Sequence, residues 1–133
     1  MKEHIDQVLH NLNFLKALDV QFPKDYFDWK ITITFYTALH CLRAYEKFKK
    51  MRIAKGHKFL YEHSDPTNPN ALNPISQKAF DAYNALHYAS QNTRYQGIMN
   101  PVFRQSQLEI QYQECRANLV IIRNYLKLQG LSV

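Results

Sequence analysis

Histidine and arginine recur at helical spacing in two stretches of this chain. Along Asp28-Trp29-Lys30-Ile31-Thr32-Ile33-Thr34-Phe35-Tyr36-Thr37-Ala38-Leu39-His40-Cys41-Leu42-Arg43-Ala44-Tyr45, the residues Asp28, Thr32, Tyr36, His40 and Arg43 advance by four, four, four and three. On a helix they share one face. Along Ala82 to Tyr95, the residues Tyr83, His87, Ser90 and Arg94 do the same. If the two faces meet, a helical interior holds two imidazoles, two guanidiniums, two phenols and a carboxylate. Arginine grips phosphate or carboxylate, and histidine exchanges a proton near neutral pH. That combination suits RNA cleavage through the 2′-hydroxyl, with histidine as general acid or base and arginine stabilising the transition-state charge. It equally suits a structural role, in which arginine on carboxylate and histidine on backbone fix the helix register.

A second candidate follows the first stretch. In Arg52-Ile53-Ala54-Lys55-Gly56-His57, an arginine and a histidine are separated by four residues, and His63 and Asp65 come next. His57, His63 and Asp65 are metal-ligand types, but their spacing is irregular and no cysteine supports them, so a loop that contains histidines is the expectation. No metal or cofactor is expected. Glycine-rich phosphate loops, zinc-finger spacing and serine or cysteine nucleophile motifs are missing from the sequence. Six of the seventeen basic residues fall between Lys47 and Lys58. They are either a solvated helix end opposing the negative pole of the helix dipole or a phosphate-contacting patch, with Lys47, Lys50 and Lys55 as its binding candidates.

The elements that must position these groups read as helices. From Ile5 to Leu18, the residues Ile5, Val8, Leu9, Leu12, Leu15 and Leu18 form one apolar stripe. Pro23 ends that helix, and Asp25 is a suitable cap for the next. From about Tyr26 to Lys50, one stripe holds Ile31, Phe35, Ala38, Leu42 and Tyr45, and another holds Trp29, Ile33, Tyr36, His40 and Arg43. Apolar character on both sides predicts a central helix, although β-branched Ile31 to Thr34 would also suit a strand. Periodicity fails from Ile53 to Pro74, where prolines and asparagines predict a long loop. A third long helix begins near Ile75 or Ser76, turns Ile75, Phe80, Tyr83, Leu86 and Ser90 inward, and ends near Arg94. A last helix spans Ser106 to Gln129, with Leu108, Tyr112, Cys115, Leu119, Ile122 and Leu126 as its seam and Gly130 as its terminator.

These elements predict a single all-α domain over residues 1–133, a four-helix up-and-down bundle with room for a short extra helix in the loop. Composition agrees: 133 residues, 46% hydrophobic and 14% aromatic, supply a core, and three glycines are too few for a turn-rich β-protein. The net charge of +6 permits a polyanionic partner without requiring one. Cys41 and Cys115 lie inside helices with no disulfide framework around them, as in a reducing compartment. The first residues lack the apolar core of a signal peptide, and the longest uncharged segment, Ile31 to Leu42, is too short to span a membrane. A soluble, cytoplasmic protein with no membrane partner is the expectation.

The chain resembles the small HEPN-domain proteins. The resemblance rests on Asp28-Trp29-Lys30-Ile31-Thr32, Phe35-Tyr36-Thr37-Ala38-Leu39-His40, Ala44-Tyr45, the histidine-containing loop, and Ala82-Tyr83 through Ser90 to Arg94-Tyr95, and it covers roughly residues 10 to 126. It implies a helical bundle, often a homodimer. Many members cleave RNA without metal through an Arg-x4-x6-His motif, and others are inactive partners in toxin–antitoxin or phage-defence systems. Arg52 and His57 have the motif's spacing. Arg123-Asn124 resembles the start of its Arg-Asn-x-x-x-His form, but Leu128 stands where the histidine belongs. Together these readings make Arg52, His57, His40 and His87 the catalytic candidates, and Arg43, Arg94, Tyr36, Tyr83, Asp28, Lys47, Lys50 and Lys55 the binding candidates. A non-catalytic module for a nucleotide, RNA or an antitoxin-like partner protein is the favoured function. A metal-independent ribonuclease and a structural homodimer are the alternatives.

Overall fold

A central helix carries the architecture. The computed structural model describes residues 1–50, 56–95 and 101–133, with side chains described for all of these except 94, 95 and 101–104. Five helices follow in order: α1 (Lys2–Gln21), α2 (Phe27–Phe48), α3 (His57–Ser64), α4 (Gln77–Tyr95) and α5 (Pro101–Leu128). No strand occurs among the described residues, so the fold is all-α. α2 packs against α1, α4 and α5, and α4 packs against α5. The predicted stripe Ile31, Phe35, Ala38, Leu42 and Tyr45 is buried throughout. Each large side chain so buried contributes on the order of 1.5–3 kcal/mol.

The β-branched run on α2 is helical because its hydroxyls are satisfied within the helix. Thr32 Oγ donates to the Asp28 carbonyl at 2.9 Å, Thr34 to Lys30 at 2.7 Å and Thr37 to Ile33 at 2.8 Å. Back-bonding of this kind lets threonine sit in a helix interior without an orphaned polar atom. A polar stripe, Lys30, Thr34, Thr37 and Cys41, is thereby buried completely. Lys30 is the exceptional member. Its Nζ donates to the Phe22 carbonyl at the end of α1, lies 3.4 Å from Asp19 Oδ1, and sits 4.8 Å above the Phe27 ring. Asp19 in turn accepts the Tyr112 hydroxyl, so one buried ammonium ties α1, α2 and α5 together.

Three expectations need correction. The second stripe of α2 is not interior: Trp29 is 62% and Tyr36 40% exposed, because α1 covers only part of that face. Leu9 of α1 also faces outward, at 52%. Asp25 does not cap α2; the cap is Tyr26 in a left-handed conformation with φ 60°, and no side chain bonds the first turn. The long loop holds α3, whose end is tied down by Asn73 N–H on the His63 carbonyl and Ile75 N–H on the Ser64 carbonyl, at 3.0 and 3.1 Å. Downstream, the seams agree with the spacing. Phe80, Tyr83, Leu86 and Ser90 on α4 are buried, as are Tyr112, Cys115, Leu119, Ile122 and Leu126 on α5.

Cys41 and Cys115 are free and buried, and burial pushes each thiol up to about 12. Neither is a nucleophile in that state. Among the described residues, no helix is long and apolar enough to cross a membrane.

Candidate functional site

Two of the sequence candidates meet at the junction of α3 and α4. His57 opens α3, one residue after Gly56, and His87 lies one turn beyond the buried Tyr83 on α4, at the edge of the inward stripe. Both rings are half-buried, and their centroids are 4.0 Å apart with 45° between the planes. Phe35 of α2 forms the floor. Its ring lies 5.2 Å from His87, 5.5 Å from His57 and 5.8 Å from Tyr83. A rigid aromatic base of this kind restricts the rotamers of the imidazoles above it.

Tyr83 fixes one ring. Its hydroxyl oxygen is 3.0 Å from His57 Nδ1. Burial raises the Tyr83 phenol well above its ordinary range; Arg43 lowers it and Glu46 raises it, each by less. The phenol therefore stays protonated and has a proton to share with Nδ1; donation in that sense leaves the proton of neutral His57 on Nε2. Outside the rings, Lys58, Tyr61 and Asn84 complete a surface pocket of about 280 Å³ with His57 and His87. The Tyr61 hydroxyl donates to Asn84 Oδ1 at 3.3 Å, which leaves the Asn84 amide N–H groups for a ligand. His57 Nε2 is buried, so the groups that suit a phosphate are the His87 ring and the Lys58 ammonium, and the Tyr61 face suits a planar base.

Of the two polar faces read from the sequence, the structure joins part and separates part. Arg43 lies 4.0 Å from Glu46 one turn along the same helix, and its charge acts on both Tyr83 of α4 and His40. His40 turns instead toward α1, where its Nδ1 is 3.0 Å from His4 Nδ1. The expected grouping of His40 with His87 thus gives way to two imidazole pairs, His57–His87 and His4–His40. Burial lowers the pKa of both His4 and His40, helped at His4 by His40 and Lys47 and at His40 by Arg43. Tyr36 packs beside Phe35 at 5.3 Å but faces outward.

The remaining candidates lie elsewhere. Asp28 is half-buried in the first turn of α2, where its carbonyl serves Thr32. Lys47 bonds Glu3 across α1 and α2, and Lys50 is exposed in a left-handed conformation just past α2. Arg52 and Lys55 lie outside the described residues, as does the side chain of Arg94. The metal reading of His63 and Asp65 loses its ligands to the loop: His63 Nδ1 accepts Leu72 N–H at 3.1 Å, and Asp65 Oδ1 accepts both Thr67 N–H and its hydroxyl. Among the described residues, no three metal-ligating side chains cluster. Two residues that sequence reasoning missed are His4 and Lys30. His4 heads the series His4, Val8, Asn11, Leu15, whose helical spacing places it on the buried side of α1. Comparison with protein-family models, curated proteins and solved structures found no match for this chain.

Proposed function

We propose that the chain is a HEPN-like four-helix bundle, with α3 as its extra helix, that binds single-stranded RNA or a nucleotide at the His57–His87 pocket. The observation that supports this reading is the convergence of two imidazoles, 4.0 Å apart, on one surface pocket with Lys58, Tyr61 and Asn84. His87 and Lys58 take the phosphate, with His57 packed behind His87; Tyr61 stacks on a base, and Asn84 donates to its edge. The net charge of +6 favours approach of a polyanion. The homodimer and the toxin–antitoxin or defence context come with the resemblance, and the cytoplasmic setting comes from two cysteines outside any disulfide framework.

A second reading is favoured by the same ring pair. In metal-independent RNA cleavage His87 is the ring that exchanges a proton with the phosphodiester, while His57, held at Nδ1 by Tyr83 and buried at Nε2, supports it. The distinguishing experiment is fluorescence anisotropy with a labelled single-stranded RNA in chelator, across a salt series, followed by a denaturing gel. Salt-sensitive binding with intact RNA, weakened by His57→Ala and His87→Ala, fits the binding module. Shortened RNA that becomes intact in either variant fits the nuclease. Absence of binding and of cleavage at low salt removes both.

A further inference from the structure

A second concave surface lies on other helices. α1 and α5 both pack on α2, and a groove runs between them for most of the length of α1. Two cavities of about 610 and 470 Å³ make it up, and they share Val120 and Arg123, so the groove is continuous from Val20 to Ile5. At 1.5 Å per residue that run of α1 is about 22 Å long, which matches a helix of about four turns. Its floor is apolar and buried, with Val8, Leu15 and Leu119 at its base. Its rims expose Val20 at 74%, Leu9 at 52% and Val120 at 52%.

Charge along the groove has one sign. Lys16, Arg116, Arg123 and Lys127 line it, Asp19 is the one side-chain carboxylate among its lining residues, and Arg123 Nε donates to the Val133 main-chain oxygen at 2.6 Å. That carboxylate already accepts the Tyr112 hydroxyl and neighbours Lys30. Arg116 lies over the Tyr112 ring, and neither it nor Lys16 nor Lys127 joins an ion pair among the described residues. Near Pro23 the groove is closed by Lys24, which binds Glu109 at 2.7 Å and whose carbonyl accepts Gln105. An apolar floor of this length under a cationic rim is complementary to a helix with one apolar and one acidic face.

We infer that the α1–α5 groove receives an acidic amphipathic helix of a partner protein. The site is independent of the His57–His87 pocket, since it is built by different helices. A fluorescent four-turn peptide of leucine, alanine and glutamate, with its leucines on one face, is the probe, and a peptide carrying lysine for glutamate is its control. The acidic peptide binds the full chain and the lysine peptide does not. Charge reversal at Lys16→Glu with Arg116→Glu, and separately Val120→Asp, each weaken binding about tenfold or more, the loss of roughly one desolvated contact. These positions are exposed, so circular dichroism reports unchanged folding, and Trp29→Ala on the opposite side of α1 leaves binding unchanged. Failure of the acidic peptide to bind at low salt overturns the inference. So do binding insensitive to the groove variants, equal binding of the lysine peptide, and self-association that Val120→Asp abolishes, which would make a second copy the occupant.

Discussion

The two imidazole pairs are made from the same residue type and differ in what surrounds them. His4 and His40 face one another through Nδ1 atoms 3.0 Å apart across α1 and α2, with Glu3, Lys47 and Arg43 as the charged groups acting on them. A bond between two Nδ1 atoms holds one proton, so each ring consumes the other's polar atom in joining the helices. His57 and His87 instead touch ring to ring over Phe35, with Tyr83 on His57 Nδ1, and they border a pocket. The first pair is a fastening between elements. The second is held from below, with His57 Nε2 buried and the His87 ring at the edge of the pocket. Histidine at helical spacing therefore does not by itself mark a site; the distinction lies in whether the partners face inward or leave a surface for a ligand.

The largest expected effect removes the support from under the second pair. Phe35→Ala deletes a buried ring that touches both imidazoles and Tyr83, and should lower stability by about 3–5 kcal/mol in urea unfolding. Next, His87→Ala should weaken RNA binding about tenfold or more, whereas His40→Ala should leave it within about twofold. Equal losses at the two positions would erase the distinction between the pairs. Tyr83→Phe should cost about 1 kcal/mol, the net worth of one hydrogen bond, and should weaken binding less than His87→Ala does.

The smallest effect is on pH dependence and belongs to the first pair. His4 and His40 both have folded pKa values below the ordinary 6.5. The unfolded chain then binds more protons as pH falls below 6.5, so their contribution is complete above that pH and is lost as pH falls through the folded values. Thermal melts of the wild type should show a falling midpoint below pH 6.5, and His4→Gln or His40→Gln should flatten that fall. An unchanged slope in both variants would contradict the fastening role.

Much of the fold was legible because helix seams depend on local spacing. Tyr112, Cys115, Leu119, Ile122 and Leu126 alternate steps of three and four and are all buried. Partner choice was not legible. Tyr36, His40 and Arg43 share a face, yet Tyr36 faces outward while His40 meets α1, because a single face spans a seam and an open flank. The helix that His57 opens is not legible, since eight residues between Gly56 and Asp65 are too few for a periodic signal. The burial of Lys30 was not legible, because lysine is almost never fully buried; the Asp19 and Phe22 carbonyl that accommodate it come from α1 and its end.

The most direct test follows the histidine ring resonances by NMR while a short single-stranded RNA is titrated into the protein with chelator present. The account predicts that the His57 and His87 signals move and saturate together while those of His4 and His40 stay in place. Movement of His4 and His40, or of no ring at all under saturating RNA, would contradict it.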